Sequence, residues 1–149
     1  MPLLDADTYL DRIRLLGVLA ILIAIATWAM DLADWVYTCP FCRVQRSAIG
    51  VLGVLMLLPR PGHWLVRWIA SVVATLGLVV AATQNFGGWR RLSAGEFSWG
   101  EQWYIHPFLL SGFALFILMA QIMLIHGSAR RAALPDRAEA PARAMPPRV

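Results

Sequence analysis

Residues 68–86 and 107–125 each run for 19 positions without a charged side chain, and this restricts what the chain can fold into. At about 1.5 Å rise per residue, such a run makes a helix of roughly 28 Å, close to the hydrocarbon thickness of a bilayer. A backbone in lipid must satisfy its own hydrogen bonds, so these runs read as membrane-spanning helices. Residues 15–30 are also uncharged, and extending that run to 13–36, across Asp31 and Asp34, gives a first span. Residues 47–58, between Arg46 and Arg60, are apolar but too short to cross an average bilayer unless 41–46 joins the helix. The reading adopted is a short second span that starts within the cysteine motif, accommodated by local thinning or by Arg46 reaching the interface. A re-entrant or interfacial helix is the competing reading.

Composition agrees with this. Hydrophobic residues make up 59% of the chain and charged ones 15%, whereas soluble domains are closer to half apolar and a quarter charged. All 13 basic residues are arginine, and the net charge is +4. No basic face with interleaved aromatics appears, which argues against a nucleic-acid partner and for lipid headgroups. With four spans, nine arginines (12, 14, 60, 67, 130, 131, 137, 143, 148) fall on one side and four (43, 46, 90, 91) on the other. The positive-inside rule then places both termini in the cytoplasm and the cysteines outside. A secretory signal peptide is the alternative for the N-terminus, but Asp5, Asp7 and Asp11 spoil its basic region and further spans follow.

The expected fold is therefore all-α: a four-transmembrane-helix bundle over residues 1–127, with spans at about 13–36, 42–59, 65–86 and 107–126, and a disordered cytoplasmic tail over 128–149. Gly50 and Gly53 in span two, and Ala70, Ala74, Gly77 and Ala81 in span three, are small residues at near-helical spacing that predict close helix packing. The connection 87–106, with Trp89, Phe97, Trp99, Trp103 and Tyr104, reads as an interfacial aromatic segment.

The chain has two cysteines, Cys39 and Cys42. Two thiols separated by two residues can close a small disulfide, and where the second begins a helix, backbone amides and the helix dipole stabilise a thiolate on the first. Arg43 and Arg46 follow at once and add positive potential, while Pro40 restricts the local backbone. The alternatives left open are an inert disulfide, two buried thiols, or a copper or zinc site completed by His106. Zinc usually takes four ligands. Asp31 and Asp34 are expected to be solvated interface residues, with proton acceptance as the other reading. An arginine at the start of an apolar helix is costly unless paired or useful, which singles out Arg46. Arg90 and Arg91 read as headgroup anchors, and Trp28 and Trp35 as interface residues or the wall of a pocket.

The segment Thr38-Cys39-Pro40-Phe41-Cys42-Arg43-Val44-Gln45-Arg46, followed by the glycine-containing helix around Gly50 and Gly53, resembles the Cys-Pro-Leu-Cys-x-x-Gln-Arg signature of the DsbB family of disulfide-bond formation proteins. The resemblance implies a bacterial inner-membrane oxidoreductase whose cysteine pair faces the periplasm. Such a protein exchanges disulfides with a periplasmic thioredoxin-like thiol oxidase and passes electrons to a membrane quinone, ubiquinone or menaquinone. Carried over, Cys39 is the exchanging sulfur, Cys42 faces the quinone, and Arg46 polarises a quinone oxygen. Gln84 stands seven residues after Gly77, where some members place a histidine near the quinone, and is a candidate hydrogen-bonder to a quinone carbonyl. Two features depart from the family pattern. The connection 87–106 lacks the second cysteine pair that the family generally carries there, and Gln84 does not titrate. A DsbB-like scaffold with a static or metal-binding cysteine pair, serving assembly, is the alternative function.

Overall fold

A computed structural model of the chain describes residues 6–36, 39–99 and 105–133. Among the described residues the protein is all-α, with five helices in the order α1 (Ala6–Asp11), α2 (Ile13–Leu32), α3 (Pro40–Leu57), α4 (Trp64–Ser93) and α5 (Pro107–Ala133). Four of these, α2 to α5, are long and apolar enough to cross a membrane. The short α1 was not foreseen.

Helix boundaries differ from the sequence expectation where side-chain chemistry intervenes. The first span stops at Leu32, four residues early, and Asp34 takes a left-handed conformation (φ 56°) that no helix continues through. The second starts at Pro40, ahead of position 42, because Pro suits the first helical position, where no N–H is needed. The third runs to Ser93, so residues 87–93, expected in a connection, add two turns carrying Arg90 and Arg91. The last continues through Ser128 to Ala133, residues expected in the tail. The remaining tail, 134–149, and Trp103 and Tyr104 lie outside the described residues.

The bundle is packed with small residues. Ala20, Ala24, Ala48, Ala70, Ala74, Ala81 and Ala114 are buried beside Leu52, Met56, Leu118 and Ile125, while Leu22, Val79, Phe113 and Phe116 point outward. Such an exterior would be an aggregation liability in water but is at no disadvantage against lipid tails, which are as apolar as the side chains. Helix association must then come from close contact. One such contact joins the backbones of Gly17 and Gly53: a Cβ on either would stand 2.9 Å from the other's carbonyl oxygen. The small residues expected to pack on α3 and α4 do so; Gly53, Ala70, Ala74, Gly77 and Ala81 are buried. A polar bond adds to this, Gln121 Nε2 donating to Ile49 O at 3.0 Å, an interhelical contact of a kind worth about 0.6 kcal/mol in a membrane protein.

α3 packs against α2, α4 and α5, and α4 packs against α5. One end of the bundle gathers α1, the 58–63 connection and the end of α5: Arg131 pairs with Asp11 at 2.6 Å, and Gly62 abuts Ala129. The opposite end holds the start of α3, the later part of α4 and the start of α5, tied by Asn85 Nδ2 donating to Phe108 O at 3.0 Å. The cysteines lie there.

Candidate functional site

Cys39 is the N-cap of α3. Its backbone is extended (φ −119°, ψ 113°), and its Sγ accepts the Cys42 N–H at 3.4 Å. Both cysteines are free thiols and half-buried. The helix start therefore delivers one backbone donor to the first sulfur, as the Cys-x-x-Cys spacing suggests.

The other donor comes from α4. Gln84 Nε2 lies 3.5 Å from Cys39 Sγ and 3.5 Å from Cys42 Sγ, so one carboxamide bridges the pair. Its Oε1 accepts from Gln45 Nε2 at 2.7 Å, and Gln45 is buried. The local reason lies in the helical registers. Ala70, Ala74, Gly77 and Ala81 mark the inward stripe of α4, and Gln84 is its next member, three residues on. Gln45 follows Cys42 by three residues on α3, so both face the same neighbour. Sequence reasoning placed Gln84 at a quinone carbonyl; its bonds in the structure go to the sulfurs and Gln45. The role of Gln45 was missed, although a glutamine three residues after the second cysteine was a usable signal.

The arginines form a separate cluster. Asp31 is 1% exposed, not solvated as expected. Its Oδ2 accepts from Arg43 Nε at 2.6 Å and lies 3.4 Å from Arg46 Nη1. Arg46 Nη1 also donates to Thr27 O at 2.9 Å. The Trp28 ring lies 5.8 Å from the Arg43 guanidinium carbon and 6.0 Å from that of Arg46, within cation–π range. Two guanidiniums, that of Arg43 partly exposed and that of Arg46 largely buried, thus face one carboxylate, so Asp31 is not an unpaired buried charge and one positive charge is left over. The second oxygen, Asp31 Oδ1, is buried with no partner among the described residues. Asp34 and Trp35 are exposed and outside this cluster.

Cys42 and Arg46 also meet across a groove of about 160 Å³ between α2, α3 and α5, whose wall includes Thr27, Gln45, Ile49 and Phe113. It is apolar apart from these few polar groups, the character of a site for a largely apolar ligand with one or two oxygens to orient. Arg46 fits the second need: of five guanidinium donors, those on Nη1 are engaged by Thr27 and Asp31, leaving others for a ligand oxygen. Cys39 and Gln84 do not line this groove. No group of three metal-ligating side chains occurs among the described residues. His106 instead packs edge-on to Phe97 and Trp99, with ring centroids 5.2 and 5.8 Å away. No family model matches the chain, and no match was found among curated proteins or solved structures.

Proposed function

We propose that this protein is a membrane thiol–disulfide oxidoreductase of DsbB type, in which Cys39 and Cys42 pass electrons from a thiol substrate to a membrane quinone. The observation that carries the reading is the Gln84 carboxamide bridging both sulfurs while Cys42 opens onto the groove that holds Arg46. Hydrogen bonds to sulfur are strongest when the sulfur is charged, so the bridge favours whichever thiolate each half-reaction produces. The resemblance of residues 38–46 to the DsbB signature supports the same chemistry.

With the pair oxidised, a substrate thiolate attacks Cys39 Sγ, the Cys39–Cys42 bond breaks, and Cys42 leaves as a thiolate held by Gln84. A second substrate thiol resolves the mixed disulfide, so two thiols become one disulfide and the pair becomes a dithiol. A quinone in the groove supplies the two-electron acceptor that restores the cysteine disulfide. Arg46 orients its oxygen, α2 and α5 exclude water, and the residual positive charge beside Asp31 favours negative charge arriving in the groove. The arginine distribution favours a cysteine end on the outer side of the membrane, and the resemblance to the DsbB signature supports a bacterial inner membrane and a periplasmic thioredoxin-like thiol oxidase as partner.

The test is quinone-dependent thiol oxidation by the purified protein, with membrane-impermeant thiol labelling of intact cells to fix the side. Oxidation that requires both cysteines, and labelling without opening the inner membrane, are the expected results. A pair that stays oxidised under reductant and never reduces quinone would mean a static disulfide. Labelling only after the inner membrane is opened would invert the orientation.

A further inference from the structure

A second cavity, of about 270 Å³, lies at the cysteine end between the last turns of α4, the segment after it and the start of α5. Its wall includes Gln84, Gly87, Arg90, Arg91, Phe97 and His106. Two guanidiniums and an imidazole line it, and no described lining residue is acidic. His106 Nδ1 accepts the Phe108 N–H at 3.3 Å, so the neutral ring carries its proton on Nε2, as a donor. Gly87 has open space where a side chain would begin, with nothing within 4 Å. Gln84 is the partition between this cavity and the dithiol, its Nε2 3.5 Å from each sulfur.

A ligand seated here meets positive charge and N–H donors on one side and the redox pair one side chain away. The chain has only two cysteines, so any thiol it oxidises must react at this pair. Neither sulfur lines the cavity, and we infer that the cavity holds the carboxylates of a small thiol, of the charge of a thiol tripeptide, whose sulfur reaches past the Gln84 side chain to Cys39. Arg90, Arg91 and His106 hold the carboxylates. The inference rests on the oxidoreductase reading and specifies its substrate class. The ligand thiolate attacks Cys39 Sγ and displaces Cys42 as a thiolate; a second ligand thiol attacks the ligand sulfur of the mixed disulfide and releases the ligand disulfide. Two protons and two electrons leave the thiols, and the quinone class of oxidant named above accepts both.

The experiment compares three monothiols, glutathione (negative), 2-mercaptoethanol (neutral) and cysteamine (positive), with the full-length protein in an uncharged detergent and a soluble quinone analogue. Glutathione should be oxidised fastest, and S-methylglutathione should inhibit it competitively. Replacing both Arg90→Gln and Arg91→Gln should lower the glutathione-to-mercaptoethanol rate ratio about tenfold, the effect of losing a charge-assisted bond. Gly87→Leu, which fills open space and favours the helix, should lower the same ratio. Arg91→Glu should raise the rate with cysteamine. A ratio unchanged in these variants, or no preference for glutathione in the wild type, overturns the inference while oxidation of mercaptoethanol upholds the oxidoreductase reading. A preference that added anionic phospholipid abolishes assigns the arginines to headgroups and also overturns it. Oxidation of none of the three removes both.

Discussion

Gln45 Nε2 donates to Gln84 Oε1 at 2.7 Å, and this bond decides which end of the Gln84 carboxamide faces the cysteines. With its oxygen engaged, Gln84 can offer the sulfurs only its NH2 group. Gln84→Glu would set an acceptor where two donors stood. Alkylation of the thiols at neutral pH should slow about tenfold, the factor expected for losing a hydrogen bond to a charged group worth about 1.5 kcal/mol. Gln45→Leu should have a smaller effect in the same direction, since it frees the carboxamide to turn. Rates of iodoacetamide labelling in detergent measure both, and a Gln84→Glu protein that reacts at the wild-type rate would remove the bridge from the chemistry.

Asp31 matters first to stability. Asp31→Ala leaves Arg43 and Arg46 without their counter-charge, and unpairing a buried ion pair costs about 3–5 kcal/mol. Arg43 is partly exposed, so the lower end of that range is expected, read as a large drop in thermal unfolding temperature in detergent. Asp31→Asn combined with Arg43→Gln and Arg46→Gln, which removes all three charges, should recover much of the loss. A triple variant no more stable than Asp31→Ala would mean that the cluster does not act through charge balance.

Arg46→Lys keeps the charge but loses the further guanidinium donors left over once Nη1 has engaged Thr27 O and Asp31. The variant should accumulate normally and need several-fold more quinone for half-maximal oxidation, with little change at saturation. An unchanged quinone dependence would take Arg46 out of the groove's function.

Cys42→Ala removes the thiol that can return a mixed disulfide on Cys39 to the internal Cys39–Cys42 bond. Offered the disulfide form of its thiol substrate as the oxidant, Cys39 should then hold a mixed disulfide that persists on a non-reducing gel, and Cys39→Ala should give none. Adducts on Cys42 alone would reverse the two sulfurs' roles.

The spans were legible because their signal is local: an uncharged run of 19 residues means the same thing wherever it falls. The Cys-Pro-Phe-Cys spacing likewise marked a helix start, which is where α3 begins. Gly53, Ala74 and Gly77 were read as packing residues by their spacing alone. Asp31 was misread because its partners, Arg43 and Arg46, lie across a turn on another helix. Three charges facing into an apolar bundle needed to be matched as a set, since none is tolerable in lipid alone. Gln84 could be picked out as polar among small residues, but its target could not, because that depends on how far α4 slides along α3.

The contact of Gly17 with Gly53 brings the backbones of α2 and α3 together with no side chain between them. The groove beside Cys42 and Arg46 has the outward-facing Phe113 on its wall. On the oxidoreductase reading proposed above, an apolar oxidant would enter there from between the lipid chains, and its supply would follow its concentration in the bilayer. The cysteine pair would then be served from two phases, water at the bundle end and oil at its flank.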